Sequence, residues 1–400
     1  MDIKSGTPKP ARHALWDLFG AFENTIGVLW PDYGSGHVIY GLGMQRYTHR
    51  SLQTLTLKLF DKDSTFHAFT PLVLDVSLPL VHTWNAIPYN KDFIVSFELE
   101  LPRYLGSPTL AQVNRGMTML ASDRCKKILA LSEFAFRHAK KRLERSGFEH
   151  VVKKLSVFRG AIADPLANEF QAARSPRVSF DIKPFSAIVI GSQLFRKGGA
   201  NAIEAFERLR KQGRDVRLTL IGDFEPHCYA LRECTPNAQA WRARALGHDW
   251  IRFESAIPRA KVLEELRAHD VCLYPSIDES LGWLTIEAGM LGVPVVGNRV
   301  CAYPELIEHR RSGWLIDLPL DADGRWAGIS MSSKAHARSA DSANEAIVKG
   351  IEACVQCLFE SPHLIAEWGA NARHSMLAMY GIKSASAALE QEYDRALNRA

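Results

Sequence analysis

Two apolar runs of strand length, separated by a short helical pattern, form the most informative stretch of the chain. Residues 271–276 read VCLYPS and residues 293–298 read VPVVGN, and each has the length of a buried strand. Between them LGWLTIEAGML predicts a helix over 281–291, which Gly292 ends with Pro294 just beyond. Strand, helix and strand in succession predict a βαβ unit, whose functional groups lie at the carboxyl ends of its strands.

The same alternation of strands and amphipathic helices runs on both sides of this unit. Further strands are predicted in TIGVLWPD, LVLDVSLPLVHTWN, FIVSFELELPR, KKILAL, KLSVF, SAIVIG, RLTLIG and WIRFE. The stretch 33–60 reads as a glycine-rich loop that leads into a long helix. Two more helices are predicted at 343–359, opened by a capping box from Ser342 to Glu345, and at 362–378.

A polar, proline-bearing stretch from Asn168 to Pro184 separates two such runs. We therefore expect an α/β protein with two Rossmann-like domains, at 1–175 and 176–380, and a last amphipathic helix at 381–400. A chain of 400 residues with 46% hydrophobic and 23% charged side chains can give each domain its own core.

Composition excludes several classes of protein. No apolar run approaches the roughly 18 residues that span a bilayer, and the N-terminus lacks an apolar signal core, so we expect a cytoplasmic protein. Seven cysteines without regular spacing fit reduced thiols, and Cys354 and Cys357 lie within a helical pattern that favours packing over a metal or redox pair.

The net charge of +5 suits an anionic small substrate or a negatively charged membrane surface, and it is too scattered to indicate a nucleic-acid partner. Residues 1–24 become amphipathic at ARHALWDLFGAF. This segment either packs on an edge of the protein or makes a peripheral contact at the inner face of the cell membrane.

Two carboxylates belong to the 271–298 unit. Glu279 falls in the turn after the first strand, and Glu287 lies on the predicted helix with apolar neighbours three and four residues away, so its face should be buried. A buried carboxylate needs a partner. Either a hydroxyl-rich or cationic ligand, or a nearby arginine or backbone amide, would supply one.

A second candidate group follows the strand SAIVI. Gly191 opens a turn that carries Arg196 and Lys197 before an amphipathic helix. Two cations at such a turn are well placed to neutralise a diphosphate, although a solvated pair at a helix start would have the same sequence.

The segment from Glu279 to Ile316 resembles the donor-site signature of retaining glycosyltransferases of the family-4 type, which have the GT-B fold. It combines E-x7-E after Pro-Ser with GVPVV, PELI and SGWLI in that order. The resemblance implies that Glu279 approaches the donor sugar and Glu287 holds the nucleotide ribose. It also implies that the backbone amides of Ser280, Leu281, Gly282 and Trp283 receive the sugar and its diphosphate, as a helix N-terminus receives an anion.

Other parts of the chain resemble that family with departures. Gly34 and Gly36 resemble its first glycine-rich loop, which faces donor phosphate and acceptor. Lys197 falls where the family has a lysine that grips the diphosphate, but Ser192 stands where it has arginine, and Arg196 could supply that charge. Glu98 stands where the family commonly has a histidine that contacts the donor sugar.

The resemblance implies a retaining transfer from a nucleotide-diphosphate sugar to a saccharide or lipid-linked acceptor in bacterial polysaccharide or glycoconjugate synthesis. It also implies a closing helix that crosses back onto the first domain. No Asp-x-Asp stands at a plausible strand end, so we expect no divalent metal and no cofactor beyond the donor. Two alternatives stay open. One is sugar-nucleotide epimerisation or hydrolysis on the same fold, and the other is a degenerate protein that binds the nucleotide sugar without transfer.

Overall fold

The computed structural model describes residues 25–29, 44, 46–51, 54–56, 71–74, 77–104, 108–167, 179–181 and 183–398. Gly34, Gly36 and the amphipathic segment 1–24 lie outside these ranges. No helix among the described residues is long and apolar enough to cross a membrane.

Within the described ranges the chain forms two parallel six-stranded sheets. The first contains β1 (Thr25–Leu29), β2 (Thr48–Ser51), β5 (Leu80–Trp84), β6 (Phe93–Phe97), β7 (Cys125–Ala130) and β8 (Leu155–Val157). The short strands β3 (Thr54–Thr56) and β4 (Pro71–Val73) pair with each other in antiparallel fashion. The second sheet contains β9 (Phe185–Ile190), β10 (Val216–Ile221), β11 (Ile251–Glu254), β12 (Val271–Tyr274), β13 (Val295–Asn298) and β14 (Gly313–Ile316).

Helices cover the sheets. Those of the first part of the chain are α1 (Leu110–Ala121) and α2 (Glu133–Arg145). Those that follow β9 are α3 (Gly199–Lys211), α4 (Ala238–Leu246), α5 (Arg259–Ala268), α6 (Trp283–Met290), α7 (Tyr303–Leu306), α8 (Ser333–Glu360), α9 (Leu364–Tyr380) and α10 (Ile382–Ala396). Every residue of β5, β6, β12 and β13 is buried, as expected for parallel strands that are covered on both faces.

Strand order explains where a ligand can enter. The second sheet has the order β11-β10-β9-β12-β13-β14, and the first has the order β2-β1-β5-β6-β7-β8. In both sheets the chain reverses its direction of progress between two neighbouring strands, at β9 and β12 in the second sheet. The loops that leave the carboxyl ends of such strands diverge and form a crevice.

The helix and strands of the 271–298 unit agree with the sequence prediction. The helix ends as expected, because Gly292 has a φ of 70° and the N–H groups of Gly292 and Val293 donate to the carbonyls of Gly289 and Ala288. All seven cysteines are free, with Cys354 buried and Cys357 half-buried.

Two predictions of secondary structure are wrong. The stretch 48–56 contains β2 and β3 rather than a long helix, which is consistent with its threonines, because β-branched residues favour strands. Helix α8 begins at Ser333, so the capping box at Ser342 lies inside it. The alanines before Ser342 favour helix, and an exposed serine is tolerated there because its side chain points into solvent.

The last helix, α10, packs against the first sheet. Glu390 accepts a hydrogen bond from the backbone N–H of Arg46 at 2.8 Å, and Asp394 accepts one from the hydroxyl of Tyr47 at 2.8 Å. The hydroxyl of Tyr393 lies 2.9 Å from Nδ1 of the buried His82 on β5. Polar side chains therefore fix α10 to the first sheet.

The turn at Gly198 is closely packed against the loop after β12. Gly198 has a φ of 83° and Gly213 has a φ of 81°, but a Cβ atom on Gly198 would overlap with the ring of Pro275, whereas one on Gly213 would meet nothing within 4 Å. We expect Gly198→Ala to cost about 2 to 4 kcal/mol of unfolding free energy, because left-handed strain and overpacking add. Gly213→Ala should cost only about 1 kcal/mol. Equal losses in denaturant unfolding would contradict the close packing at Gly198.

Candidate functional site

The loops that follow β9 and β12 meet at the crevice of the second sheet. The loop after β9 carries Arg196 and Lys197, and the loop after β12 carries Glu279. These strands are direct neighbours, with Ala187 opposite Val271 and Ile188 opposite Cys272. Residues separated by about eighty positions in sequence are therefore brought into contact at one end of the sheet.

Lys197 and Glu279 form a buried ion pair. Nζ of Lys197 contacts Oε2 of Glu279 and the hydroxyl of Tyr274, and it lies 4.4 Å from the centre of the Tyr274 ring. Lys197 is 6% exposed, and burial lowers its pKa while Glu279 opposes that shift. The hydroxyl of Tyr274 also donates to Oε2 of Glu279 at 3.2 Å. The Glu279 carboxylate thus compensates the buried charge of Lys197.

Arg196 approaches the same carboxylate from the cavity side. Its Nη1 donates to the backbone carbonyl of Asp278 at 2.7 Å and lies 3.4 Å from Oε2 of Glu279. Burial acts to lower the pKa of Arg196, but Glu279 and nearby tyrosines raise it overall, so Arg196 stays charged. Ser192 is exposed. Of these two positions, it is Arg196 that lines the cavity beside Glu279.

The backbone of the cation turn is fixed from behind. The carboxylate of Glu225, which is buried, accepts hydrogen bonds from the N–H groups of Phe195 and Arg196 at 3.0 Å each. Gly191 brings the strand end close to this turn, since a Cβ on it would lie 2.9 Å from Cγ of Lys197. Both cations are therefore presented by a rigid backbone.

Asp278 and Arg325 hold the loop that carries Glu279. Arg325 donates to both oxygens of Asp278, from Nε at 3.0 Å and from Nη2 at 2.8 Å. The Tyr229 hydroxyl donates to the same carboxylate at 2.6 Å. Burial acts to lower the pKa of Arg325, but Asp278 raises it overall. Because the pair is buried and bidentate, it restrains the loop directly before Glu279.

Helix α6 starts four residues after Glu279 and presents Glu287 to the interior. Glu287 is 3% exposed, in agreement with the burial that its apolar neighbours predict. Gly282 precedes the helix with a φ of 87°, and a Cβ there would lie 3.0 Å from Cε1 of Tyr303. The first N–H groups of a helix have no acceptor within it. Ser280, just before this helix start, lines the cavity.

The cavity in front of Glu279 has a volume of about 410 Å³ and is lined by both halves of the chain. The first half contributes a polar wall from the segments after β5 and β6: Asn85, Glu98, Leu99, Glu100, Arg103 and Tyr104. The second half contributes Arg196, Tyr229, Asp278, Glu279 and Ser280. Predicted site residues from two separate sheets therefore share one chamber.

Glu98 lies on the part of the cavity wall that the first half of the chain contributes, and it is half-buried. Nε1 of Trp283, the first residue of α6, donates to Oε1 of Glu98 at 3.3 Å. Burial raises the pKa of Glu98, the Trp283 hydrogen bond opposes this rise, and the charge of Glu279 adds to it. A carboxyl group thus stands at the position where the resemblance leads one to expect histidine.

Several residues that position the site were missed from sequence. Asp278, Arg325, Tyr229, Tyr274 and Glu225 carry no local motif. Arg325 lies in the polar stretch after β14, far from Asp278 in sequence, and only the fold pairs them. The sole signal available was that Asp278 directly precedes Glu279 at a strand end.

Among the described residues no cluster of three or more His, Cys, Asp or Glu side chains could hold a metal ion. Asp321 and Asp323 are separated by one residue, but each has another role. Asp321 accepts hydrogen bonds from the N–H groups of Asp323 and Arg325 at 2.9 Å each, and Asp323 pairs with Lys141 at 2.7 Å.

Comparison with known proteins adds to this geometry. Residues 173–329 match the model of the family described as glycosyl transferases group 1. The chain is 30% identical over 157 residues to D-inositol 3-phosphate glycosyltransferase 2 of Catenulispora acidiphila, covering 39% of this chain and 30% of that protein. It is 31% identical over 143 residues to the amylovoran biosynthesis glycosyltransferase AmsK of Erwinia amylovora, covering 33% of this chain and 32% of AmsK. The matches span about a third of the length of these curated relatives.

A solved structure with a similar fold is that of Anabaena HepE in complex with UDP and glucose. It has a TM-score of 0.53 and 13% identity, covering 87% of this chain and 86% of HepE. This likeness concerns the fold alone. The two parallel sheets with their covering helices form a GT-B fold, and the predicted fold class is confirmed.

We predict that Arg325→Ala destabilises the protein by about 3 kcal/mol, because it leaves the buried Asp278 carboxylate without its cation. Arg299→Ala is the matched control, since Arg299 pairs with Asp317 on the surface, where the side chains are 38% and 80% exposed. Its cost should stay below about 1 kcal/mol. Thermal unfolding of both variants tests this difference, and similar losses would show that Asp278 does not depend on Arg325.

Proposed function

We propose that this chain, whose residues 173–329 are a domain of the group 1 glycosyl transferases, is a retaining glycosyltransferase. It would move a sugar from a nucleotide-diphosphate sugar to a hydroxyl of a saccharide or lipid-linked acceptor. The observation that carries the proposal is the convergence of Arg196 and Lys197 on Glu279 at the crevice of the second sheet, where Arg196 and Glu279 line a cavity that the first half of the chain also lines. We assign the acceptor to the domain at 1–175 and the donor to that at 176–380.

The diphosphate of the donor would bind Arg196 and Lys197. Both cations face Glu279 at the cavity, and an incoming diphosphate brings more negative charge than one carboxylate. The amides of Ser280, Leu281, Gly282 and Trp283 lie at the start of α6, where the helix dipole favours an anion. Gly191 permits the close approach of Lys197, and we place the ribose near Glu287.

In the proposed reaction the bond between the anomeric carbon and the phosphate oxygen breaks, and its electron pair leaves with the diphosphate. The acceptor oxygen bonds to the anomeric carbon from the same face, and its proton passes to the departing phosphate oxygen. Lys197, Arg196 and the helix N–H groups stabilise the growing negative charge, so we propose that no divalent metal takes part. Glu279 and Glu98 would face the donor sugar from opposite walls of the cavity.

Two similar proteins guide the choice of substrates. AmsK is named for amylovoran biosynthesis, and HepE was solved with UDP and glucose. We therefore propose synthesis of a polysaccharide or glycoconjugate, with a uridine nucleotide as the first donor to test. Gly34 and Gly36, which lie outside the described residues, would belong to the loop between donor phosphate and acceptor.

We expect one nucleoside diphosphate among UDP, GDP and ADP to raise the melting temperature of the wild-type protein. When the free nucleotide is at 100 times its dissociation constant, its binding raises the free energy of unfolding by about 2.7 kcal/mol. Lys197→Ala and Glu287→Gln should abolish most of this ligand-induced shift, because they remove a diphosphate contact and a ribose contact.

Lys349→Ala is the control for loss of a lysine, since Lys349 is 70% exposed on α8, and it should retain the full shift. Transfer of radiolabelled sugar from the matching nucleotide sugar then tests the enzyme activity. Binding without transfer or release of sugar would favour the degenerate binder. No shift with any nucleotide would overturn the donor site.

A further inference from the structure

The hydrogen bond between Trp283 and Glu98 joins the two walls of the cavity. Glu98 belongs to the loop after β6 of the first sheet, and Trp283 begins α6 beside the second sheet. Nε1 of the indole lies 3.3 Å from Oε1 of Glu98. Glu98 lines the cavity. The indole N–H therefore holds a carboxyl group of the cavity wall.

We propose that Trp283 is a positioning residue: its indole N–H fixes the Glu98 carboxyl group in the cavity wall, where it meets the donor sugar. The proposal rests on the glycosyltransferase function above, and it assigns a role to the side chain of Trp283 in addition to its backbone amide.

The Trp283 side chain is itself well anchored. It is half-buried and packs against the main hydrophobic core, which contains residues of both sheets, and the left-handed Gly282 before it is enclosed by Tyr303 and Thr285. A side chain held in this way can orient a carboxyl group that a freely rotating residue could not.

The chemistry of an indole suits this task. It is a donor only and does not titrate, so it can satisfy a carboxyl oxygen without adding a positive charge that would compete for the diphosphate. The charged groups around Glu98 are of both signs. The positive ones are Arg103, Arg196 and Lys197, and the negative ones are Glu100, Asp278 and Glu279. Among these groups, a neutral donor gives Glu98 a fixed orientation.

The hydrogen bond from Trp283 also affects the pKa of Glu98 in a definite direction. Burial raises the pKa of Glu98, and the indole N–H, which favours the ionised carboxylate, works against that rise. Removal of the N–H should therefore raise the pKa of Glu98 further. Whether Glu98 acts ionised or protonated, the limb of the pH profile that it controls then moves to higher pH.

The test compares Trp283→Phe, which keeps an aromatic ring but lacks the N–H, with Glu98→Gln and the double variant. In profiles of kcat/KM against pH for sugar transfer, Trp283→Phe should move one limb upward by about half a pH unit. Glu98→Gln should remove that limb, and adding Trp283→Phe should then change the profile no further. Trp314→Phe, a substitution on β14 away from the cavity, should leave the wild-type profile in place.

A uniform loss of rate at all pH values in Trp283→Phe, or the same upward shift in the Glu98→Gln background, would overturn the proposal. A second measurement needs no turnover. The difference in intrinsic fluorescence between wild type and Trp283→Phe reports on Trp283 and should titrate with Glu98, becoming flat when both proteins carry Glu98→Gln. A titration that persists there would also refute the pairing, whereas absence of nucleotide binding with a Glu98-dependent titration would refute only the transferase function.

Discussion

The charge of Lys197 is the constraint on which the arrangement of the loops after β9 and β12 depends. A lysine that is 6% exposed must have a counter-charge, and Glu279 supplies it from the neighbouring strand end. Such a pair gives little net stability, because desolvation cancels much of the attraction. In the proposed function the pair would exchange partners: an anionic ligand would replace Glu279 beside Lys197, and the Glu279 carboxylate would then accept hydrogen bonds from sugar hydroxyls.

This exchange would require that the loops after β9 and β12 keep their positions when Lys197 and Glu279 separate. Glu225 fixes the backbone under Arg196, and the Asp278–Arg325 pair fixes the loop before Glu279. The amide of Asn298 adds a third restraint, because it donates to the carbonyls of Pro275 and Ser276 at 2.8 and 3.1 Å. Side chains around the site thus fix the positions of the charged groups, and in the proposed reaction these groups would need little reorganisation as charge develops on the leaving group.

The sequence predicted those features of the site that depend on local patterns of residues. Strand-length apolar runs and the Gly292 stop define β12, α6 and β13, and burial of Glu287 follows from its neighbours on one helix. Arg196, Lys197 and Glu279 could be placed at strand ends, but their contact depends on β9 lying beside β12, which no local pattern encodes. The pairing of Asp278 with Arg325 was unpredictable for the same reason. The helix start predicted at Ser342 was wrong because capping signals also occur inside alanine-rich helices.

Contacts between the two halves of the chain include polar and charged pairs beside a shared hydrophobic core. Glu305 on α7 accepts the N–H groups of Glu133 and Phe134 at 2.8 and 2.7 Å, so a carboxylate of the second half caps the N-terminus of α2. Arg373 on α9 binds both oxygens of Asp164, with the shorter contact at 2.7 Å. These pairs fix the orientation of the elements that they join. The hydrogen bond from Trp283 to Glu98 joins the two halves at the cavity itself, and because its donor is uncharged, it adds no positive charge there.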